Sequence, residues 1–149
     1  MTITEGHNLM QDFMAIHGLT KKGWTSIVND NRSRLGYCDW RNKTIALSSF
    51  HILHSPDDAV LNTILHEIAH ALVGPSKNPH GDIWRNKALE IGCTGERCGH
   101  MNAPKKFTGH CRNCGKECQT NRRTKVACST CCKSYNNSRF NDKYLIIWK

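Results

Sequence analysis

Thr63-Ile64-Leu65-His66-Glu67-Ile68-Ala69-His70-Ala71-Leu72 carries the pattern H-E-x-x-H. On an α-helix, residues four apart stand one turn above each other, so His66 and His70 can offer two imidazoles to one metal ion. Glu67, the next residue round, is displaced from that pair but near enough to take a proton from an attacking water. The local sequence supports a helix. Ser55-Pro56-Asp57-Asp58 reads as an N-cap, a proline at the first helical position and acids in the first turn. Leu61, Leu65, Ile68 and Leu72 make an apolar stripe at helical spacing, and Gly74-Pro75 stops the run. The competing reading is two histidines spaced this way by chance. The helical context weighs against it, and a metal-activated hydrolase is the expected chemistry.

A catalytic zinc takes three protein ligands and leaves a fourth position to water. A metzincin layout would need Gly at 73 and His at 76, where this chain has Val73 and Ser76. Glu90, on a following helix, could complete a gluzincin layout. His80, in Pro79-His80-Gly81-Asp82-Ile83-Trp84, is the better candidate, because it opens a second helix running to about Ile91 and can swing back after the loop from Gly74 to Pro79.

His66-Glu67-x-x-His70 followed by His80-Gly81-x-x-Trp84 resembles the SprT-like zinc metalloproteases, which include the Spartan proteases. Gly23-Trp24, the run Gly36-Tyr37-Cys38-Asp39-Trp40 and Thr44-Ile45-Ala46-Leu47-Ser48 resemble the N-terminal half of that family, and a cysteine-rich C-terminal ribbon has a counterpart here. The resemblance covers most of the chain. It implies that His66, His70 and His80 hold a catalytic zinc, that Glu67 is the general base, and that Glu90 is an ordinary helix residue.

The chain has 149 residues and 38% hydrophobic content, room for one domain of about 100 residues and a small appendage. No run approaches the roughly 20 apolar residues of a membrane span, and the N-terminus lacks a signal pattern, so a soluble intracellular (cytoplasmic) protein is expected. Nine cysteines, an odd number with C-x-x-C spacings, argue for thiols and metal ligands over a disulfide framework. Charge is uneven. Residues 1–100 hold 10 Lys/Arg and 10 Asp/Glu, whereas residues 101–149 hold 11 and 2, so the whole net charge of +9 lies in the tail. A domain over 1–101 and a second over 105–149 are expected, linked through Asn102-Ala103-Pro104.

In the first domain Thr2-Ile3-Thr4-Glu5 reads as a capping box opening a helix to about His17, with Leu9, Phe13 and Ile16 on one face and Gly18 at its end. Trp24 to Asn29, Leu35 to Trp40 and Thr44 to Ser48 read as three short strands. The expected fold class is α+β: a small zincin-like metalloprotease domain of helices and a short antiparallel sheet, then a small zinc-ribbon domain. An edge strand beside the metal could pair with an extended substrate. Cys38 is expected in the core, and Cys93 and Cys98 as plain thiols, a stray site with His100 being the lesser reading.

The tail contains Cys111-Arg112-Asn113-Cys114-Gly115 and Cys128-Ser129-Thr130-Cys131-Cys132. Two C-x-x-C pairs at this separation signal a structural zinc in a ribbon of short hairpins. Cys111, Cys114, Cys128 and Cys131 are the favoured ligands. Cys132 stands where a glycine is usual and could replace Cys131, and Cys118 is a spare. A segment this small needs its metal to fold. Four thiolates and one zinc leave the tail with about +7. Lys105, Lys106, Arg112, Lys116, Arg122, Arg123 and Lys125 cluster around the ribbon, and Asn121-Arg122-Arg123-Thr124 reads as an exposed hairpin tip. A phosphate backbone suits such a surface, against the plainer reading of a solvated basic face. Tyr135, Phe140, Tyr144 and Trp148 could stack on unpaired bases, although packing a last strand over Tyr144–Trp148 suits them better.

Together these features predict a monomeric zinc endopeptidase with one catalytic and one structural zinc. With no pro-segment ahead of the first helix, some other restraint is expected. The resemblance implies that restraint: proteolysis confined to proteins on DNA, as in repair of DNA–protein crosslinks. Two rivals are a nucleic-acid-binding zinc protein without activity, and a zinc hydrolase of a small amide or peptide whose ribbon binds a protein partner.

Overall fold

The computed structural model describes residues 1–97, 99–101 and 103–149; the expected thiol Cys98 and linker residue Asn102 lie outside the described residues. The chain divides into two compact units, Met1–Ala103 and Pro104–Lys149. Among the described residues no helix is long and apolar enough to cross a membrane.

The first unit opens with α1 (Ile3–Ile16), whose capping box is formed: the Glu5 amide donates to Thr2 Oγ1 at 3.2 Å and the Thr2 amide to Glu5 Oε2 at 2.6 Å. Its buried face is Gly6, Met10 and Met14. The expected Leu9-Phe13-Ile16 face is only its margin, since Leu9 and Phe13 are half-buried and Ile16 is exposed. The reason is close packing at Gly6, where a Cβ would lie 2.9 Å from Ile52.

Strands β1 (Thr25–Asn29), β2 (Gly36–Asp39) and β3 (Thr44–Ser48) form one sheet in the order β1-β3-β2. The expected antiparallel pairing holds for β2 with β3, while β1 runs parallel to β3. Each connection reverses the chain, so the first and third strands point the same way, and the loop over residues 30–35 carries β2 to the far edge. That loop is tied down by the Asn31 carboxamide, which accepts the amides of Ser33 and Arg34, and by Ser48, which donates to the carbonyls of Asn31 and Leu35. Central β3 buries residues on both faces: Ile45, Ala46, Leu47 and Ser48.

A short helix, α2 (Ser49–His54), follows β3 directly and was not expected. Ser48 caps it, and Ser55 ends it instead of capping the next helix. Helix α3 (Asp57–Val73), which carries His66 and His70, thus has Pro56 at its N-cap, with Asp57 and Asp58 in the first turn. Val60, Ile64 and Ile68 join Met10, Met14, Leu19, Ile45, Leu47 and Ile52 in the main core. Leu65 and Ala69 face a second cluster with Trp84, Ala88 and Cys93, the first two contributed by α4 (Asp82–Glu90). Two apolar faces leave the third face of α3 to the histidines. Leu61 and Leu72, expected in the stripe, are half-buried at its edges.

The second unit has β4 (Phe107–Cys111), β5 (Glu117–Thr120), α5 (Ser129–Tyr135) and β6 (Ile146–Trp148), with antiparallel order β5-β4-β6. Gly115, at φ +73, closes the turn between β4 and β5 by donating its amide to the Cys111 carbonyl. The second C-x-x-C departs from the expected hairpin: Cys128 is the N-cap of α5 and Cys131 lies in its first turn. Asn121–Thr124 likewise leads from β5 toward this helix and is no tip between paired strands. The last strand is shorter than Tyr144–Trp148, because Asp142–Tyr144 form a 3-10 turn. Tyr144 and Trp148 pack against the cysteines, while Tyr135 and Phe140 stay exposed.

Candidate metal centre

Helix α3 supplies His66, Glu67 and His70, and the turn preceding α4 supplies His80. Their three Nε2 atoms form a near-equilateral triangle: His66 to His80 3.1 Å, His70 to His80 3.1 Å, and His66 to His70 3.2 Å. These contacts cannot all be hydrogen bonds, since a ring nitrogen either carries a hydrogen or offers a lone pair, and of three mutually touching nitrogens two must be alike. The site instead converges ring lone pairs on one point. An ion about 2.0–2.1 Å from each nitrogen in a tetrahedral array would hold them about 3.4 Å apart, so the donor set fits zinc with slight widening.

Burial, followed by the neighbouring rings, holds the His66 pKa at about 4; burial and His80 hold that of His70 at about 4; burial also lowers His80. Neutral imidazoles are the form a metal needs. Glu67 is buried, and that burial alone pushes its carboxyl up to about 8. The site opens into a groove of about 710 Å³ bounded by α3, by residues 33–38 around β2 and by Glu96, Arg97, Gly99 and His100. Cys38, expected in the core, is half-buried on this groove, and burial, then Glu67, pushes its thiol up to about 12. Glu90 lies on α4 paired with Lys87, outside the cluster of histidines.

The SprT-like family model matches residues 9–125. The chain belongs to the SprT-like family. The match takes in His66, Glu67, His70, His80 and the first cysteine pair of this SprT-like protein, and ends before Cys128. Comparison with curated proteins and with solved structures returned no match.

In the second unit of this SprT-like chain, Cys111, Cys114, Cys128 and Cys131 gather with all four Sγ atoms within 4.8 Å of one another. Cys111 to Cys131 is 3.8 Å and Cys114 to Cys128 is 3.9 Å. Four sulfurs about 2.3 Å from a tetrahedral zinc stand about 3.8 Å apart, so this set fits the ion closely. Backbone N–H groups of Cys131 and Thr130 draw the Cys128 pKa down to about 7, toward the thiolate. Cys132 is buried beside the cluster and Cys118 packs against it, but neither joins the four.

The basic residues are spread over this unit. Arg112, Lys116, Arg122 and Arg123 are exposed, as are Lys105 and Lys106. Arg123 and Lys106 lie over the Phe107 ring at 4.3 and 5.4 Å. Lys116 donates to Thr130, and Lys125 pairs with Asp142 at 2.9 Å.

Several residues bearing on the site were not singled out from sequence. Trp40 donates its indole N–H to the His70 carbonyl at 2.8 Å. A backbone acceptor leaves no mark in a sequence. Gly36 and Trp84 stood only within quoted motifs, without a role.

Proposed function

We propose that this protein is a zinc-dependent endopeptidase acting, as a monomer inside the cell, on proteins held on DNA. The observation that carries the reading is the triangle of Nε2 atoms 3.1–3.2 Å apart, with Glu67 adjacent on the same helix. His66, His70 and His80 would hold the catalytic zinc; Cys111, Cys114, Cys128 and Cys131 would hold a structural one. When bound, zinc supplies a Lewis acid that acidifies water and polarises a carbonyl. Glu67 then takes the proton of the attacking water and delivers it to the leaving amine. Strand β2, at the end of the sheet beside the groove, offers an edge to which an extended peptide can add as a further strand.

The charge distribution supports the DNA half of the proposal. A neutral first unit and a strongly basic second one would concentrate the enzyme on a phosphate backbone without regard to sequence. The test compares wild type with Glu67→Gln on a protein crosslinked to DNA, with and without DNA and at low and high salt. The variant should keep its zinc and fold while losing cleavage. Unchanged proteolysis would remove Glu67 from the mechanism, and cleavage indifferent to DNA and salt would leave a peptidase with another means of recruitment.

A further inference from the structure

Trp84 meets all three imidazoles. Its indole centroid lies 4.5 Å from the His66 ring, 5.3 Å from the His70 ring at an interplanar angle of 26°, and 4.8 Å from the His80 ring at 85°. The indole N–H reaches the His66 carbonyl at 3.4 Å, so the side chain is tied to the backbone of one of the residues it touches. Trp84 is 2% exposed and wedged among Leu65, Ala69, Ala88 and Cys93, which gives it a fixed seat on α4.

We propose that Trp84 is a positioning residue that holds the three rings in convergence and so sets the zinc affinity of the site; this rests on the reading of His66, His70 and His80 as ligands. Three ring lone pairs 3.1–3.2 Å apart repel one another, and each ring relieves that repulsion by turning away. The His80 ring is the freest, because it comes from a half-exposed turn and not from α3. The indole occupies space beside all three rings and restricts that turning, so less ordering remains to be done when an ion arrives. With an ion bound, the positive charge shared into the rings lies close to an electron-rich aromatic face. Groups that orient metal-bound histidines alter affinity about 10- to 100-fold when removed.

Trp84 is also core, so a loss of stability in the metal-free form would not distinguish positioning from packing. The discriminating measurement is zinc affinity, by titration of the full chain against a chromophoric chelator, with the cysteine site as internal reference and metal-free unfolding recorded separately. Trp84→Leu should weaken one zinc equivalent about 10-fold or more and leave the other unchanged. Trp84→Phe, which keeps an aromatic face but loses the N–H and part of the ring, should weaken the same equivalent by less. Wild-type affinity for both equivalents, in whichever of the two variants folds, overturns the proposal. A wild-type chain that binds zinc only at its cysteines overturns both the proposal and the metal centre on which it rests.

Discussion

Gly36 of β2 lies directly against Glu67 of α3: a Cβ built on Gly36 would stand 3.4 Å from the Glu67 Cγ and 2.7 Å from the carbonyl oxygen of Ala46. The backbone contact is the severe one, since a carbonyl inside the sheet cannot swing aside. Gly36→Ala must push β2 off β3 or off α3. The expected cost is about 1–3 kcal/mol, as for other overpacked sites. Because the displaced strand borders the groove, cleavage should fall further than stability alone explains. Urea unfolding together with turnover at a temperature where the variant stays folded checks this; wild-type turnover there would show that the strand does not position substrate.

The cysteine cluster makes a second prediction, on adjacent residues. Cys131 Sγ stands 3.8 Å from Cys111 Sγ, whereas Cys132 is buried but is not one of the four. Cys131→Ser should reduce the zinc content from two per chain to one and unfold the second unit, whose core is built around these sulfurs. Cys132→Ser should keep both ions. Metal content by atomic emission and protease resistance of residues 104–149 give the answer, and loss of zinc from the Cys132 variant alone would reassign the ligand.

What could be read in advance follows from how local each signal is. The spacing of His66 and His70, the Thr2–Glu5 box and the run of β3 depend on neighbours a few residues away, so they were legible. Convergence of His80 was not fixed by spacing and leaned on resemblance, because a loop of this length can deliver a side chain in many directions. The parallel pairing of β1 was invisible, since alternation of apolar residues carries no strand direction. Helix α2 was hidden for another reason: it is barely two turns long and buries His51, a residue whose polarity argues for solvent. There His51 sits between Ser55 Oγ at 2.7 Å and Thr63 Oγ1 at 2.8 Å, so its burial is offset by two hydrogen bonds. The second cysteine pair was misplaced onto a hairpin because Ser129-Thr130-Cys131-Cys132 shows no helical apolar period.

The metal-free protein should show a stability profile with opposed limbs. Glu67, raised to about 8 from an ordinary 4.5, keeps a proton in the folded state that the unfolded chain has already released. Stability therefore falls as pH climbs from about 4.5 to about 8. His66 and His70, lowered to about 4 from 6.5, act the other way: the unfolded chain takes up protons first, and stability falls as pH drops from about 6.5 to about 4. The two histidines outweigh the single carboxyl where the windows overlap, which puts the maximum near pH 6.5. Glu67→Gln should abolish the alkaline decline, a gain on the order of a few kcal/mol at pH 8.5, and leave the acid limb in place. Urea unfolding in chelator, followed through the tryptophans of the first unit, measures both limbs; an alkaline limb that survives in the variant would assign it to another group.

The basic unit predicts a slope more firmly than an affinity. Arg122 and Arg123 are exposed, and Arg123 lies over Phe107, an arrangement that leaves its guanidinium edge free to meet a phosphate. If each neutralises one phosphate of a duplex, replacing both by alanine should lower the slope of log K against log salt concentration by about 2, with uniform weakening across sequences. Both side chains are on the surface, so stability should stay within about 0.5 kcal/mol of wild type. Lys21 and Lys22 provide the control, since they belong to the electrically neutral first unit and their replacement should leave the slope alone. Fluorescence anisotropy of a labelled duplex between 50 and 200 mM salt, about the range in which such contacts are lost, reads all of this directly. An unaltered slope in the Arg122/Arg123 variant would move the contact surface away from this turn, and an equal drop in the Lys21/Lys22 control would mean that the chain meets DNA through its overall charge and not through the second unit.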